Sequence, residues 1–270
     1  MFLKYINILC VFQKHVFLFR HVLKIMSMFA VGGFVRDYLL KVSSKDLDIV
    51  CPDFENIDNL VSFAKKELGL VKVINPEYGR VLVLAKTCTL GHFANMWLEL
   101  NGSLPQQIAV DLLLPRKDLD HNGRQCKTEI SSLSEDLSRR DFTINALAMS
   151  ADGQIIDNHN GIKHIEEKKL IFVGDMSQRI EEDYLRILRL LRFAVTKNFE
   201  IPIEFSDYLE DKELEIANKI TDLVSVDRIR EELTKMFLHD SLKSVEIINS
   251  LPRPIRSVIF ENIKLKPTQF

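Results

Sequence analysis

Asp46 and Asp48 lie thirteen residues beyond the Gly32-Gly33 pair, and the two features describe halves of one chemical task. Glycines between an apolar strand and a helix let backbone N–H groups approach phosphate oxygens, and the helix N-terminus adds a positive dipole end. Arg36 offers a charge to the same anion. In Lys45-Asp-Leu-Asp-Ile-Val50, the two-residue period of a strand turns both carboxylates to one face. Paired carboxylates are hard oxygen ligands suited to Mg²⁺. Two such ions, about 3.5–4 Å apart, would activate an attacking hydroxyl and steady a pyrophosphate leaving group. Each half alone has an ordinary explanation, a tight turn or a solvated strand edge. Their combination at this distance points to a nucleoside triphosphate held by metal.

Three further segments carry chemistry. Ile108-Ala-Val-Asp-Leu-Leu-Leu114 is an apolar run with one acid, Asp111. Such a charge is expensive to bury unless paired or metal-bound, so Asp111 is either a third catalytic carboxylate or a strand end facing water. In Ser138-Arg-Arg-Asp-Phe-Thr-Ile-Asn-Ala-Leu147, a helical reading puts Asp141 and Asn145 on one face at i,i+4, with Arg140 at the helix start. Those groups would grip a ribose hydroxyl and a triphosphate. Capping by Ser138 and Asp141 competes as an explanation, but it leaves two arginines where the dipole disfavours them, and a nearby anion would account for that. In Glu181–Ala194, Tyr184, Ile187, Leu188 and Leu191 form a core-facing stripe, with Asp183, Arg186 and Arg189 on another face. A solvated ion-paired face is the default for such charges. An acceptor beside a donor would also match cytosine or adenine, whose amino donor adjoins a ring acceptor, and reject guanine and uracil, which present the reverse.

The elements that must position these groups are legible in outline. Strands are expected at 28–31, 46–50, 71–74, 80–85 and 108–114, and helices near 34–40 and 55–68. Thr87 to Pro105, with Gly91, Asn101 and Gly102, reads as a loop or insertion. From 162 the pattern is helical, near 162–168, 177–197, 204–217, 225–238 and 240–249, with no strong strand signal after Ile171-Phe-Val173. This order predicts an α+β protein in which a small mixed-sheet head is followed by an all-helical neck and partial body. The expected division is a leader at 1–27, a head at 28–157, a neck at 158–250 and a short remnant at 251–270.

Composition narrows the classes. The chain has 270 residues, 46% of them apolar, and a formal charge of −2, so nucleic-acid contacts must come from local basic patches. The cysteines at 10, 51, 88 and 126 form no Cys-x-x-Cys pair and read as reduced thiols in an intracellular protein. No Asp or Glu occurs in the first 36 residues, where Lys4, Lys14, Arg20 and Lys24 are spaced among Phe12, Val16, Phe17 and Phe19. This leader reads as a helix packed on the first strand, as a mitochondrial presequence, or as residues ahead of a true start at Met26 or Met28. Lys14, His15, Arg20 and His21 interrupt it, so no membrane span is expected, and the protein is expected in the cytoplasm, or in the mitochondrion if the leader is a presequence.

At these residues the chain resembles the class II tRNA nucleotidyltransferase and bacterial poly(A) polymerase family, within the polymerase β superfamily. The matching segments are Gly32-Gly-Phe-Val-Arg-Asp37, Lys45–Val50, Arg139–Leu147, Glu182-Asp-Tyr-Leu-Arg-Ile-Leu-Arg189 with Arg192-Phe193, and Val226-Asp-Arg-Ile-Arg-Glu-Glu-Leu233. The resemblance implies template-free addition of C and A from CTP and ATP to a tRNA 3′ end, with Mg²⁺ on Asp46 and Asp48. It implies Gly32, Gly33, Arg36 and Arg140 at the triphosphate, Asp141 near the ribose, Asp183 with Arg186 as a protein template for the base, and Arg189 and Arg192 lining the same pocket. Two departures stand out. The family's linker between head and neck carries a Gly-Gly and a following Asp, where this chain has Asp157-Asn-His-Asn-Gly-Ile-Lys-His164. Family members also continue into helical body and tail regions that hold the tRNA, whereas this sequence stops at Phe270. Full CCA addition, a CC- or A-adding specialist, poly(A) polymerase, a non-catalytic RNA-binding relative and a nucleotide sensor remain distinct expectations.

Overall fold

The sheet of the protein follows from its short apolar runs and the glycines that end them. A computed structural model describes residues 27–119 and 127–261; the leader read at 1–27 lies outside these but for its last residue, as does the chain after residue 261. The described residues fall into two units. The first runs to Asp118 and takes in Thr128–Arg140 and Ile144–Ile165; the second takes in Asp141–Thr143 and the chain from Glu166 onward.

In the first unit, β1 (Phe29–Val31) leads through Gly32 into α1 (Gly33–Leu40), and β2 (Leu47–Val50) follows. Next come α2 (Ile57–Phe63), a π-helical turn, β3 (Gly69–Asn75), β4 (Arg80–Lys86), α3 (His92–Asn101) and β5 (Gln107–Leu113). A two-stranded sheet pairs β6 (Arg116–Asp118) with β7 (Thr128–Ile130), and α4 (Leu133–Ser138), β8 (Leu147–Ser150), β9 (Ile155–Asp157) and α5 (Gly161–Glu166) complete the order. The main sheet has seven strands in the order β3-β4-β5-β2-β1-β8-β9. Its pairs are antiparallel except β2 with β5, which run parallel because two strands and two helices intervene between them. That parallel register sets Asp48 directly beside Asp111. Phe34, Leu47, Ile49, Leu60, Phe93, Met96 and Leu112 are fully buried and form the core behind the sheet.

Three expectations need correction. Thr87–Pro105 is not a loop: its glycines terminate α3, with Gly91 at the N-cap and Gly102 at the C-cap, both at positive φ. Phe93, Ala94 and Met96 bury one face of that helix. The helix read over 138–147 does not form. Its cap lies upstream, where Ser132 and Glu135 make a capping box for α4, and the chain then passes through a 3₁₀ turn at Thr143–Asn145 into β8. The β8–β9 hairpin, absent from the expected strands, turns at Gly153 with φ of 88°.

The second unit is helical: α6 (Met176–Glu182), α7 (Leu185–Thr196), α8 (Glu204–Asp211), α9 (Glu213–Leu223), α10 (Val226–His239), α11 (Ser241–Asn249) and α12 (Arg253–Glu261). The expected single helices at 177–197 and 204–217 are each broken once. Asp183 is extended between α6 and α7, and Lys212 separates α8 from α9. Tyr184, Ile187, Leu188 and Leu191 are buried as their spacing predicts. Phe142 packs on Phe172 and Phe193 at centroid distances of 4.8 and 5.7 Å.

Candidate active site

Gly32 receives its geometry from both sides. Its N–H donates to the Leu147 carbonyl at 3.1 Å, and its φ of 65° is one that only glycine adopts without strain. A Cβ at this position would meet Arg140 Nη1 at 2.5 Å, so the turn and the guanidinium share one small space. Helix α1 opens directly after it, and the first N–H groups of any helix lack intrahelical partners, as an anion site requires. Arg140 donates through Nη2 to Asp136 Oδ2 at 2.9 Å, while its buried Nε has no hydrogen-bond partner. Gly33 is less constrained: a Cβ there would come no nearer than 3.5 Å, to Arg36.

The carboxylates gather on the neighbouring strands. Asp46 is exposed just ahead of β2, and Asp48 is half-buried within it. Asp111 sits mid-strand, which removes the strand-end reading, and Arg80 clamps it bidentately with both contacts at 2.7 Å. Burial pushes the Asp48 carboxyl up to about 6; Asp111 and Asp46 push the same way, against Arg140 and Arg80. Carboxylates that hold one of their number partly protonated have an excess of negative charge that a dication would neutralise. Among the described residues no three His, Cys, Asp or Glu side chains make a closed metal cage. Asp46 and Asp48, with Asp111 beside them, are the residues that could hold a divalent ion. Arg80 went unnoticed in the sequence; its signal was a lone basic residue opening a strand next to the acid-bearing one.

The polar groups of 136–145 serve different partners from those expected. The Arg36 guanidinium is buried, donating to Asp37 Oδ1 and to Asn145 Oδ1, the latter at 2.5 Å. Asn145 therefore ties the 3₁₀ turn to α1 within the first unit. Asp141, in the second unit, accepts from Arg189 at 2.8 and 2.5 Å and from its neighbour's N–H, that of Phe142. The shared helical face of Asp141 and Asn145 is thus a correction: with no helix there, the i,i+4 rule does not apply. Asp136, which sequence reasoning passed over, is 1% exposed and binds both Arg139 and Arg140.

In the second unit each expected nucleotide-reading group has an acidic or basic companion. Asp183 pairs with Arg228 at 2.7 Å, and its Oδ1 also accepts from the Leu185 N–H. Arg186 is buried and donates to Glu182 at 2.6 Å and to the Arg179 carbonyl at 2.7 Å. Arg192 binds Glu232 and lies over the Phe193 ring at 4.0 Å, while Arg189 stands 3.8 Å from the same Glu232. The break at Asp183 explains why it does not project at helical i,i+3 spacing from Arg186.

With this geometry in hand, comparison with known proteins is decisive on ancestry. A model of the Poly A polymerase head domain matches residues 28–171, more than half of the chain. The chain belongs to the poly(A) polymerase head-domain family. Members similar to it include the CCA-adding enzyme of Streptococcus gordonii, 33% identical over 208 residues, which are 77% of this chain and 45% of that protein. The CCA-adding enzyme of Lactococcus lactis subsp. cremoris is 34% identical over 209 residues, 77% of this chain and 46% of that protein. The chain thus spans a little under half the length of these family members. Among solved structures, a tRNA nucleotidyltransferase complexed with a primer tRNA and an incoming ATP analogue aligns with a TM-score of 0.64 at 25% identity, covering 87% of this chain and 60% of that one. A CCA-adding enzyme in complex with ATP aligns with a TM-score of 0.64 at 25% identity, covering 97% and 55%. The mixed sheet followed by helices is the family's fold.

Proposed function

We propose that this chain carries the catalytic and nucleotide-selecting part of an Mg²⁺-dependent nucleotidyltransferase that adds C and A from CTP and ATP to the tRNA 3′ end. The observation that carries this is the pairing of Asp48 with Asp111 in adjacent strands, beside Arg140 at the Gly32 turn. The names of its relatives and the primer tRNA and ATP analogue bound to one structural neighbour support the substrate class. In the reaction the RNA 3′ oxygen bonds to the α-phosphorus, the bond to the β-phosphate oxygen breaks, and pyrophosphate leaves. Mg²⁺, when bound, supplies neutralisation of the triphosphate and acidification of the attacking hydroxyl. The Gly32 turn and Arg140 orient the triphosphate tail. Asp183 and Arg186 read the base, drawing their hydrogen bonds away from Arg228 and Glu182, while Asp141, Arg189 and Arg192 border the sugar and base. Catalysis on this plan is mainly positioning and charge stabilisation.

No helix among the described residues is long and apolar enough to cross a membrane. Free Cys51 and Cys88 agree with a reducing compartment, the cytoplasm or the mitochondrion. The test is incubation of the protein with tRNA lacking all or part of its CCA end, each nucleotide supplied singly and products resolved to one residue. Addition that stops at CCA supports the reading. A long A tail assigns a poly(A) polymerase, and primer-independent nucleotide binding without pyrophosphate release overturns catalysis.

A further inference from the structure

We infer that Asp136 is the positioning residue of the triphosphate site, the buried anion that aims Arg140 at the Gly32 turn. This deepens the proposed nucleotidyl transfer and rests on it. Asp136 is 1% exposed within α4, and it is the acceptor for three donors in addition to Arg140 Nη2. Its Oδ1 takes Arg139 Nε at 3.1 Å, Arg139 Nη2 at 2.8 Å and the Arg116 backbone N–H at 3.3 Å. The backbone bond ties the carboxylate to β6, and the Arg139 Nε also donates to the Arg116 carbonyl at 3.0 Å. A carboxylate held at that many points is a fixed anchor, whereas a long arginine side chain has many rotamers to lose.

The consequence for Arg140 is directional. One Nη is occupied by Asp136, the other stands 2.5 Å from the position of a Cβ on Gly32, and the buried Nε donates to nothing. Its remaining protein contact is a long one, Nη1 to the Asn145 carbonyl at 3.5 Å. Burial works to raise the Asp136 carboxyl, yet Arg140 and Arg139 outweigh it and hold the group below the usual range, so it stays ionised at neutral pH. Asp136 itself touches no phosphate; it acts through Arg140.

The test measures affinity of the whole chain with Mg²⁺ for CTP and for CMP, which lacks the β- and γ-phosphates. Asp136→Asn keeps the shape and removes the charge, and the expected result is at least a tenfold loss for CTP with CMP changed less than twofold. Asp136→Glu keeps the ion pairs but displaces the guanidinium, and it is expected to weaken CTP selectively with the circular dichroism of the wild type. This second variant decides the matter if Asp136→Asn does not fold. In an Arg140→Ala background Asp136→Glu should change CTP affinity less than twofold, because the residue through which it acts is gone. Equal loss for CTP and CMP, unchanged CTP affinity, or effects that multiply with Arg140→Ala overturn the inference while leaving the transferase reading intact. Wild-type protein that binds no CTP at all would overturn both.

Discussion

Replacing Asp48 by Asn should make the metal-free protein more stable while abolishing nucleotide incorporation. The carboxyl of Asp48 is lifted to about 6, chiefly by burial and then by Asp111, against about 3.9 in an unfolded chain. The folded state therefore binds the proton more tightly than the unfolded one. Above pH 6 the ionised group opposes folding in full, and below pH 4 it does not. At about 1.4 kcal/mol per pKa unit, the full difference is roughly 3 kcal/mol. Water reaches this half-buried side chain, so about 1–3 kcal/mol is the working range. Asn has nearly the same shape and no charge, so it removes this opposition.

Urea denaturation in EDTA at pH 8 and at pH 4.5 measures the prediction directly. The variant should gain about 1–3 kcal/mol at pH 8 and much less at pH 4.5, where wild-type Asp48 is largely protonated. Every other carboxyl titrates in both proteins, so the difference between them isolates residue 48. Adding Mg²⁺ with CTP should stabilise the wild type and leave the variant nearly unmoved, because only a competent site couples ligand to folding. A variant less stable than wild type at pH 8, or a gain of the same size at both pH values, would refute the account of Asp48 as a strained carboxylate awaiting a cation.

Gly32→Ala forces a side chain onto a φ of 65° and into the Arg140 guanidinium; a loss of about 1–2 kcal/mol in denaturation should accompany a loss of CTP affinity, and normal CTP binding would sink the phosphate-turn reading. Asp183→Ala should cut the preference for CTP over UTP in single-nucleotide incorporation by at least about tenfold, whereas unaltered discrimination would remove Asp183 from base selection. Glu232 is 4% exposed and binds Arg192 with Arg189 close by, so Glu232→Gln should lower thermal stability by about 3–5 kcal/mol, and a neutral result would show that water compensates both arginines. Asn160 holds a φ of 59°; Asn160→Ala should cost about 1 kcal/mol and Asn160→Gly almost nothing, as urea midpoints will read.

What could be read from the sequence was set by how local each signal is. The glycine turn and the buried stripe of α7 depend on periods of two to four residues and stand where those periods put them, whereas β2 begins at Leu47 and leaves Asp46 just ahead of the strand. The stretch 138–147 misled because Asp141 and Asn145 satisfy the helical i,i+4 rule while being bonded to Arg189 and Arg36, partners 48 and 109 residues away. Helix α3 was hidden by its own terminators, since glycine punctuates helix ends and loops alike. The Arg80–Asp111 and Arg228–Asp183 pairs, with partners 31 and 45 residues apart, had no local signature at all. The departure at Asp157–His164 becomes intelligible in the structure. Asp157 caps the turn by accepting from the His159, Gly161 and Ile162 N–H groups, and Asn160 takes the left-handed conformation usually left to glycine.

On the proposed reading, the two sets of polar groups divide the work of binding between affinity and discrimination. Around the Gly32 turn, Arg140 shares the Asp136 carboxylate with Arg139 and keeps a buried Nε that has no hydrogen-bond partner; on the proposed reading that donor capacity serves the polyphosphate, an attraction blind to the base. In the helical unit each expected base-reading group already has a partner: Arg186 has Glu182, which also binds Arg179, Arg189 has Asp141, Arg192 has Glu232 and Asp183 has Arg228. A base that enters such a set gains little net attraction, because each hydrogen bond it receives is taken from an existing partner. A base of the wrong pattern takes the partner away and returns nothing, leaving a part-buried polar group short of a hydrogen bond. Selection by exchange therefore tolerates weak binding of the correct base and punishes the wrong one. On this argument, neutralising Glu182 or Arg228 should raise affinity for all four nucleotides' bases toward a common value while discrimination falls, and variants that lost affinity for CTP but kept its preference over UTP would contradict it.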